Sequence, residues 1–75
     1  MFDNLTVKEK YILHLMAVDK LTVKEISEKV LISPRTVHYH LQNIYKKRGY
    51  PTSARSQMKV ALEYVEYINS GIAEN

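Results

Sequence analysis

Apolar residues return every three or four positions through most of this chain: Ile12, Leu15 and Met16, then Ile26 and Val30, then Val37, Leu41 and Ile44, then two interleaved sets beyond residue 54. That period is helical, and no stretch shows the alternation a strand would need. The helix starts are marked as well. Thr6 stands three residues before Glu9 and Thr22 three before Glu25, so a threonine and glutamate capping box occurs twice. The first helix is predicted to end near Val18, with Asp19-Lys20 opening a turn. The second is short, with Ile26 and Val30 one turn apart and the small Ser27 beside them. Ser33 is a good N-cap for a third helix, because Pro34 then occupies the first helical position, where its missing N–H costs nothing. Gly49 suits the left-handed residue just past that helix, and Pro51 blocks continuation. A fourth helix opens at Thr52 or Ser53 and runs to about Asn69, with Gly71 as its stop. The expectation is an all-α, four-helix domain over residues 1–75.

The third helix has two contrasting sides. At about 100° per residue, Val37, Leu41, Ile44 and Arg48 share an inward stripe, while Arg35, His38, Tyr39, Gln42 and Lys46 form an outward one whose members all donate hydrogen bonds. His38 and His40 are one residue apart, which on a strand would aim both at one metal ion. On a helix they diverge by about 200°, so they are not co-ligands. His14 lies on another helix without a visible third partner, and no metal or cofactor is expected. His40 falls near the inward stripe, which predicts a half-buried, hydrogen-bonded histidine. Only Leu31-Ile32-Ser33 joins the second and third helices, and Ile26, Val30, Ile32, Val37 and His40 fall where a tight helix-turn-helix over about residues 22–48 needs its inward contacts. In that motif the second helix enters the DNA major groove.

Charge sharpens this reading. The net charge is only +3, yet no acid occurs between Glu28 and Glu63, where Lys29, Arg35, Lys46, Lys47, Arg48, Arg55 and Lys59 all fall. Such asymmetry points to a polyanionic partner. Seventy-five residues with 45% hydrophobic content allow one small core. The absence of cysteine removes disulfides, thiolate metal sites and thiol nucleophiles. Nothing resembles an export signal or a membrane span, so a cytoplasmic chain is expected. No nucleophile and base pair or active-site carboxylate pair presents itself, which argues against an enzyme, and no small-molecule ligand is evident.

Leu5-Thr6 with Lys8-Glu9, Lys24-Glu25-Ile26, Ile32-Ser33, Thr36-Val37, His40, Asn43-Ile44, Lys47, Gly49 and Arg55, in this register, resemble the signature of the LuxR-type (FixJ/NarL-type) DNA-binding domain across residues 5 to about 68. The resemblance implies a bacterial four-helix domain that binds double-stranded DNA as a homodimer, reading the groove with helix three and pairing through helix four. The chain is similar to the short, stand-alone members. His38 stands where the family usually has lysine, so the implied base-reading set is His38, Tyr39 and Gln42, with Arg35 beside them. Gln42 suits adenine and Tyr39 a thymine methyl or a phosphate. Lys24, Thr36, Lys46, Lys47 and Arg55 are candidate phosphate contacts, at helix ends that such a fold turns toward the duplex. Arg48 replaces a leucine that normally points inward, and Asp19 a common turn glycine.

On the last helix, Ala54, Met58, Ala61, Leu62 and Val65 are expected to close the core. Val60, Tyr64 and Tyr67, with Ile68 on their flank, would then stay in water, and such a stripe reads as a dimer surface on a helix over about residues 53–69. The sequence therefore points to a transcription regulator acting on an inverted-repeat site, with RNA polymerase as a further candidate partner. Two other readings are a promoter-binding domain like the C-terminal domain of a sigma factor, and an adaptor or antagonist that acts through helix four without DNA.

Overall fold

Among the described residues, four helices form where the caps start them: α1 Val7–Ala17, α2 Val23–Val30, α3 Pro34–Lys47 and α4 Ala54–Asn69. The structure, a computed structural model, describes residues 2–70, so the expected stop at Gly71 lies outside the described residues. Both capping boxes close. The Glu9 N–H donates to Thr6 Oγ1 at 3.1 Å and the Thr6 N–H to Glu9 Oε1 at 2.9 Å. Thr22 and Glu25 repeat the exchange at 3.2 and 2.8 Å. Ser33 and Ser53 accept from the backbone N–H groups of Thr36 and Ser56 to cap α3 and α4. Among the described residues there is no strand, and no helix is long and apolar enough to cross a membrane.

The core lies where α1 meets the other three helices. Ile12, Leu13, Leu15 and Met16 of α1 pack with Ile26 of α2, Val37, Leu41, Ile44 and Tyr45 of α3, and Val60 of α4. Phe2 and Leu5, ahead of α1, are buried in the same cluster. Burying such side chains is worth about 1.5–3 kcal/mol each, which a domain of this size needs.

The two stripes of α4 are partly exchanged: Ala61 and Val65 pack against the core as expected, but Met58 and Leu62 do not, and Val60, Tyr64 and Tyr67 do. Val60 is 0% exposed, whereas Met58 is 75% and Leu62 60% exposed, so Val60, Tyr64, Tyr67 and Ile68 belong to the side facing the rest of the chain. The cause is Phe2. Its ring meets Tyr64 edge-on at 5.5 Å and Tyr67 at 5.3 Å, and the His14 Nδ1 and Tyr64 hydroxyl lie 3.1 Å apart. Aromatic pairs at such distances add about 0.5–1.5 kcal/mol beyond area. The tyrosines thus have partners in the leading segment and in α1, and Ala54, Met58 and Leu62 are left exposed.

Arg48 reaches the same region. Its guanidinium lies 4.5 Å from the centre of the Phe2 ring and donates to Glu63 Oε1 at 3.0 Å, while the Tyr50 hydroxyl donates to Glu63 Oε2. The stem lies along the core and the charged head finds an acid at its edge. Burial pushes the Glu63 carboxyl up, but the hydrogen bonds from Tyr50 and Arg48 outweigh it and hold the group below its ordinary value.

Among the described residues, three take positive φ: Lys20 at 57°, Leu31 at 64° and Gly49 at 80°. Gly49 fills the role expected of it. The left-handed residue of the first turn is Lys20 rather than Asp19, so the position that would favour glycine is one residue later than the sequence reading put it. Leu31 ends α2, its N–H and that of Ile32 both donating to the Ser27 carbonyl.

Candidate nucleic-acid interface

Residues 34–47 stay helical because Ser33 and Pro34 fix the first turn and nothing inside breaks it. Val37, Leu41 and Ile44 go fully inward, and this turns Arg35, His38, Tyr39, Gln42 and Lys46 outward, all five exposed. The outcome is a rod of donors and acceptors about 21 Å long with its base sunk in the core. His40 is half-buried, but its described contact is an edge-on ring contact with Tyr39 at 5.7 Å, and no hydrogen bond of His40 is seen among the described residues.

The fourth helix starts beside this face. A shallow groove is lined by His38 and Gln42 of α3 and by Thr52, Ser53 and Gln57 at the start of α4, over a floor of Leu41 and Tyr45. Burial pushes the Tyr45 phenol up, so it stays protonated. The sequence gives no direct sign that Thr52, Ser53 and Gln57 lie beside this face. The brief connection through Gly49 and Pro51 was the one available signal that α4 begins next to the outer side of α3.

The candidate phosphate contacts separate. Lys24 is exposed in the first turn of α2, Lys46 near the end of α3 and Arg55 in the first turn of α4. Thr36 is half-buried, with its hydroxyl 2.9 Å from that of Ser33. Lys47 is engaged elsewhere: its ammonium donates to Glu9 Oε1 at 2.7 Å, the oxygen that also accepts from Thr6. Burial pushes the Glu9 carboxyl up, but Lys47 and the Thr6 N–H more than offset this and hold it below its usual range. Lys47 is therefore a strut between α3 and α1, and its charge is largely met within the chain. Among the described residues no three histidine, cysteine or acidic side chains gather where they could hold a metal ion.

On the outer side of α4, Met58 and Leu62 lie between Arg55 and Lys59, and Ala61 and Val65 continue the surface toward Ala17 and Lys20. This is an apolar face with a basic rim.

Residues 3–60 match the luxR family of bacterial regulatory proteins. The chain is also similar to the spore germination protein GerE of Bacillus subtilis (strain 168), at 40% identity over 58 residues, which is 77% of this chain and 74% of that protein. No solved structure matches. With the helix-turn-helix and its polar outer face in place, the chain belongs to the luxR family of bacterial regulatory proteins and is a DNA-binding regulator of transcription, not an enzyme.

Proposed function

We propose that residues 1–75 act as one helix-turn-helix domain that binds an inverted-repeat DNA site as a homodimer in the bacterial cytoplasm, with α3 in the major groove of each half-site. The observation that carries the reading is the outer face of α3, exposed and polar along its length on a helix anchored through Val37, Leu41 and Ile44. Arg35, His38, Tyr39 and Gln42 meet base edges, because side chains on the first turns of such a helix reach deepest. Gln42 offers a donor and an acceptor to adenine. Lys24, Thr36, Lys46 and Arg55 meet phosphates and set the register without reading sequence. RNA polymerase is the machinery on which the bound regulator acts.

Pairing uses the α4 face that contains Met58 and Leu62. Two large apolar side chains left in water on one helix are best explained by a second copy, and two-fold pairing through α4 presents the reading helices to half-sites about ten base pairs apart.

The test is a fluorescence anisotropy titration on a duplex selected from random sequence and on a scrambled duplex, across a range of salt. Replacing Gln42 by Ala narrows the difference between the two duplexes by about 1–3 kcal/mol. Replacing Lys46 by Ala weakens both alike and flattens the salt dependence by about one phosphate contact. Equal losses on both duplexes for both variants would contradict the assignment.

A further inference from the structure

The inner side of α1 is accounted for by the core, but its outer side is apolar too. Val7 is 86% exposed, Tyr11 46% and Val18 37%, spaced four and seven residues apart, while His14 between the last two is half-buried with its ring against Tyr64 of α4. At about 100° per residue, Tyr11 and Val18 lie within about 40° of Val7, which sets the three on one line beside the contact of His14 with α4. A helix packed on one side ordinarily turns polar residues to water on the other, whereas α1 exposes Val7 and Tyr11 there beside its lysines.

Charge says what the stripe is built to meet. Glu9, the acid of α1, is buried and held by Lys47 and Thr6, so it contributes nothing to the outer surface. Lys8 and Lys10 are exposed on the two flanks of the stripe. An apolar strip between two lysines is complementary to an amphipathic helix whose apolar ridge is flanked by carboxylates. Its position matters as well. Glu9 points about 200° from Val7 and touches Lys47 of α3, so α3 lies on the opposite side of α1 from the stripe. A partner on the stripe leaves the outer face of α3 free.

We infer that the Val7, Tyr11 and Val18 face of α1 is a docking surface for an acidic amphipathic helix of another protein, used while α3 is on DNA. The area is small, which suits weak, reversible recruitment. Simultaneous use with DNA rests on the function proposed above, whereas the surface itself does not.

The test is an NMR titration of the full chain, free and bound to duplex, with a synthetic amphipathic peptide carrying leucines on one face and glutamates beside them, and with the same peptide carrying lysines instead. The acidic peptide should shift the signals of Val7, Tyr11 and Val18 in both states. Val7→Ser with Tyr11→Ser should abolish the response, and Lys8→Glu with Lys10→Glu should weaken it at least tenfold, while duplex affinity in the serine variant stays within about twofold of the wild type. Four outcomes overturn the inference: no shift, an equal response to the basic peptide, shifts confined to Met58 and Leu62, or stripe shifts produced by duplex or by raised protein concentration alone. A failure of DNA binding would leave the free-protein titration standing, so the two readings fail separately.

Discussion

Leu31 ends α2 with φ at 64°, and its side chain is 88% exposed. An L-residue in that region costs about 1–2 kcal/mol relative to ordinary helix or strand geometry. Glycine removes the cost but brings a more flexible unfolded chain, worth about 0.5–1 kcal/mol in the opposite direction. The leucine side chain is almost wholly in water, so its loss forfeits little burial. Leu31→Gly should therefore stabilise the domain by about 0.5–1 kcal/mol, or about 2–8 °C in Tm for a chain of this length. Urea unfolding followed by circular dichroism should show a higher midpoint at unchanged slope. Leu31→Ala should bring no such gain, because alanine keeps the same backbone penalty. The mirror experiment is Gly49→Ala, where an added methyl meets nothing within 4 Å and the positive φ of 80° alone acts; it should lose about 1 kcal/mol. If Leu31→Gly matches or falls below wild type while Leu31→Ala is neutral, the assignment of strain to this turn is wrong.

Three further outcomes follow from the packing. Phe2→Ala should cost about 3–4 kcal/mol in urea unfolding, since the ring touches Tyr64, Tyr67 and Arg48. Met58→Ser with Leu62→Ser should leave the monomer folded and abolish the dimer proposed above, as read by sedimentation, whereas Val60→Ser should unfold the domain, as Val60 is buried. Glu9 and Glu63 both have folded values below their ordinary ones, so each contributes stability that is present above the unfolded value of about 4.3 and is lost as pH falls through the folded value. A pH series of urea midpoints should fall from about pH 5 toward pH 3, and Lys47→Met, itself costing about 1–3 kcal/mol by leaving a buried carboxylate, should flatten the part due to Glu9.

What could be read from the sequence was local. Thr6 with Glu9, Thr22 with Glu25, and Ser33 with Pro34 mark helix starts through bonds made within one turn, so no tertiary knowledge was required. The outer face of α3 was legible because its opposite side is an unbroken run of Val37, Leu41 and Ile44. The fourth helix was not, since both of its stripes are apolar and periodicity cannot choose between them. The choice is made by Phe2 and His14, which lie about fifty residues or more earlier in the chain. The pairing of Lys47 was hidden for a related reason: a basic residue at a helix end suits a phosphate, and only the fold brings the buried Glu9 carboxylate of another helix to it. The turn position moved from Asp19 to Lys20 because both are polar turn residues, and only the backbone says which one carries the positive φ.

The Glu9 oxygen that closes the start of α1 also receives Lys47 at the end of α3. Anyone wishing to redirect such a regulator to a new operator would naturally transplant the whole recognition helix. Here that graft would cut a strut, and the loss of α1 support would be mistaken for poor fit to the new site. Exchanging only the proposed base-reading set of Arg35, His38, Tyr39 and Gln42, with position 47 left as lysine, keeps targeting and integrity separable.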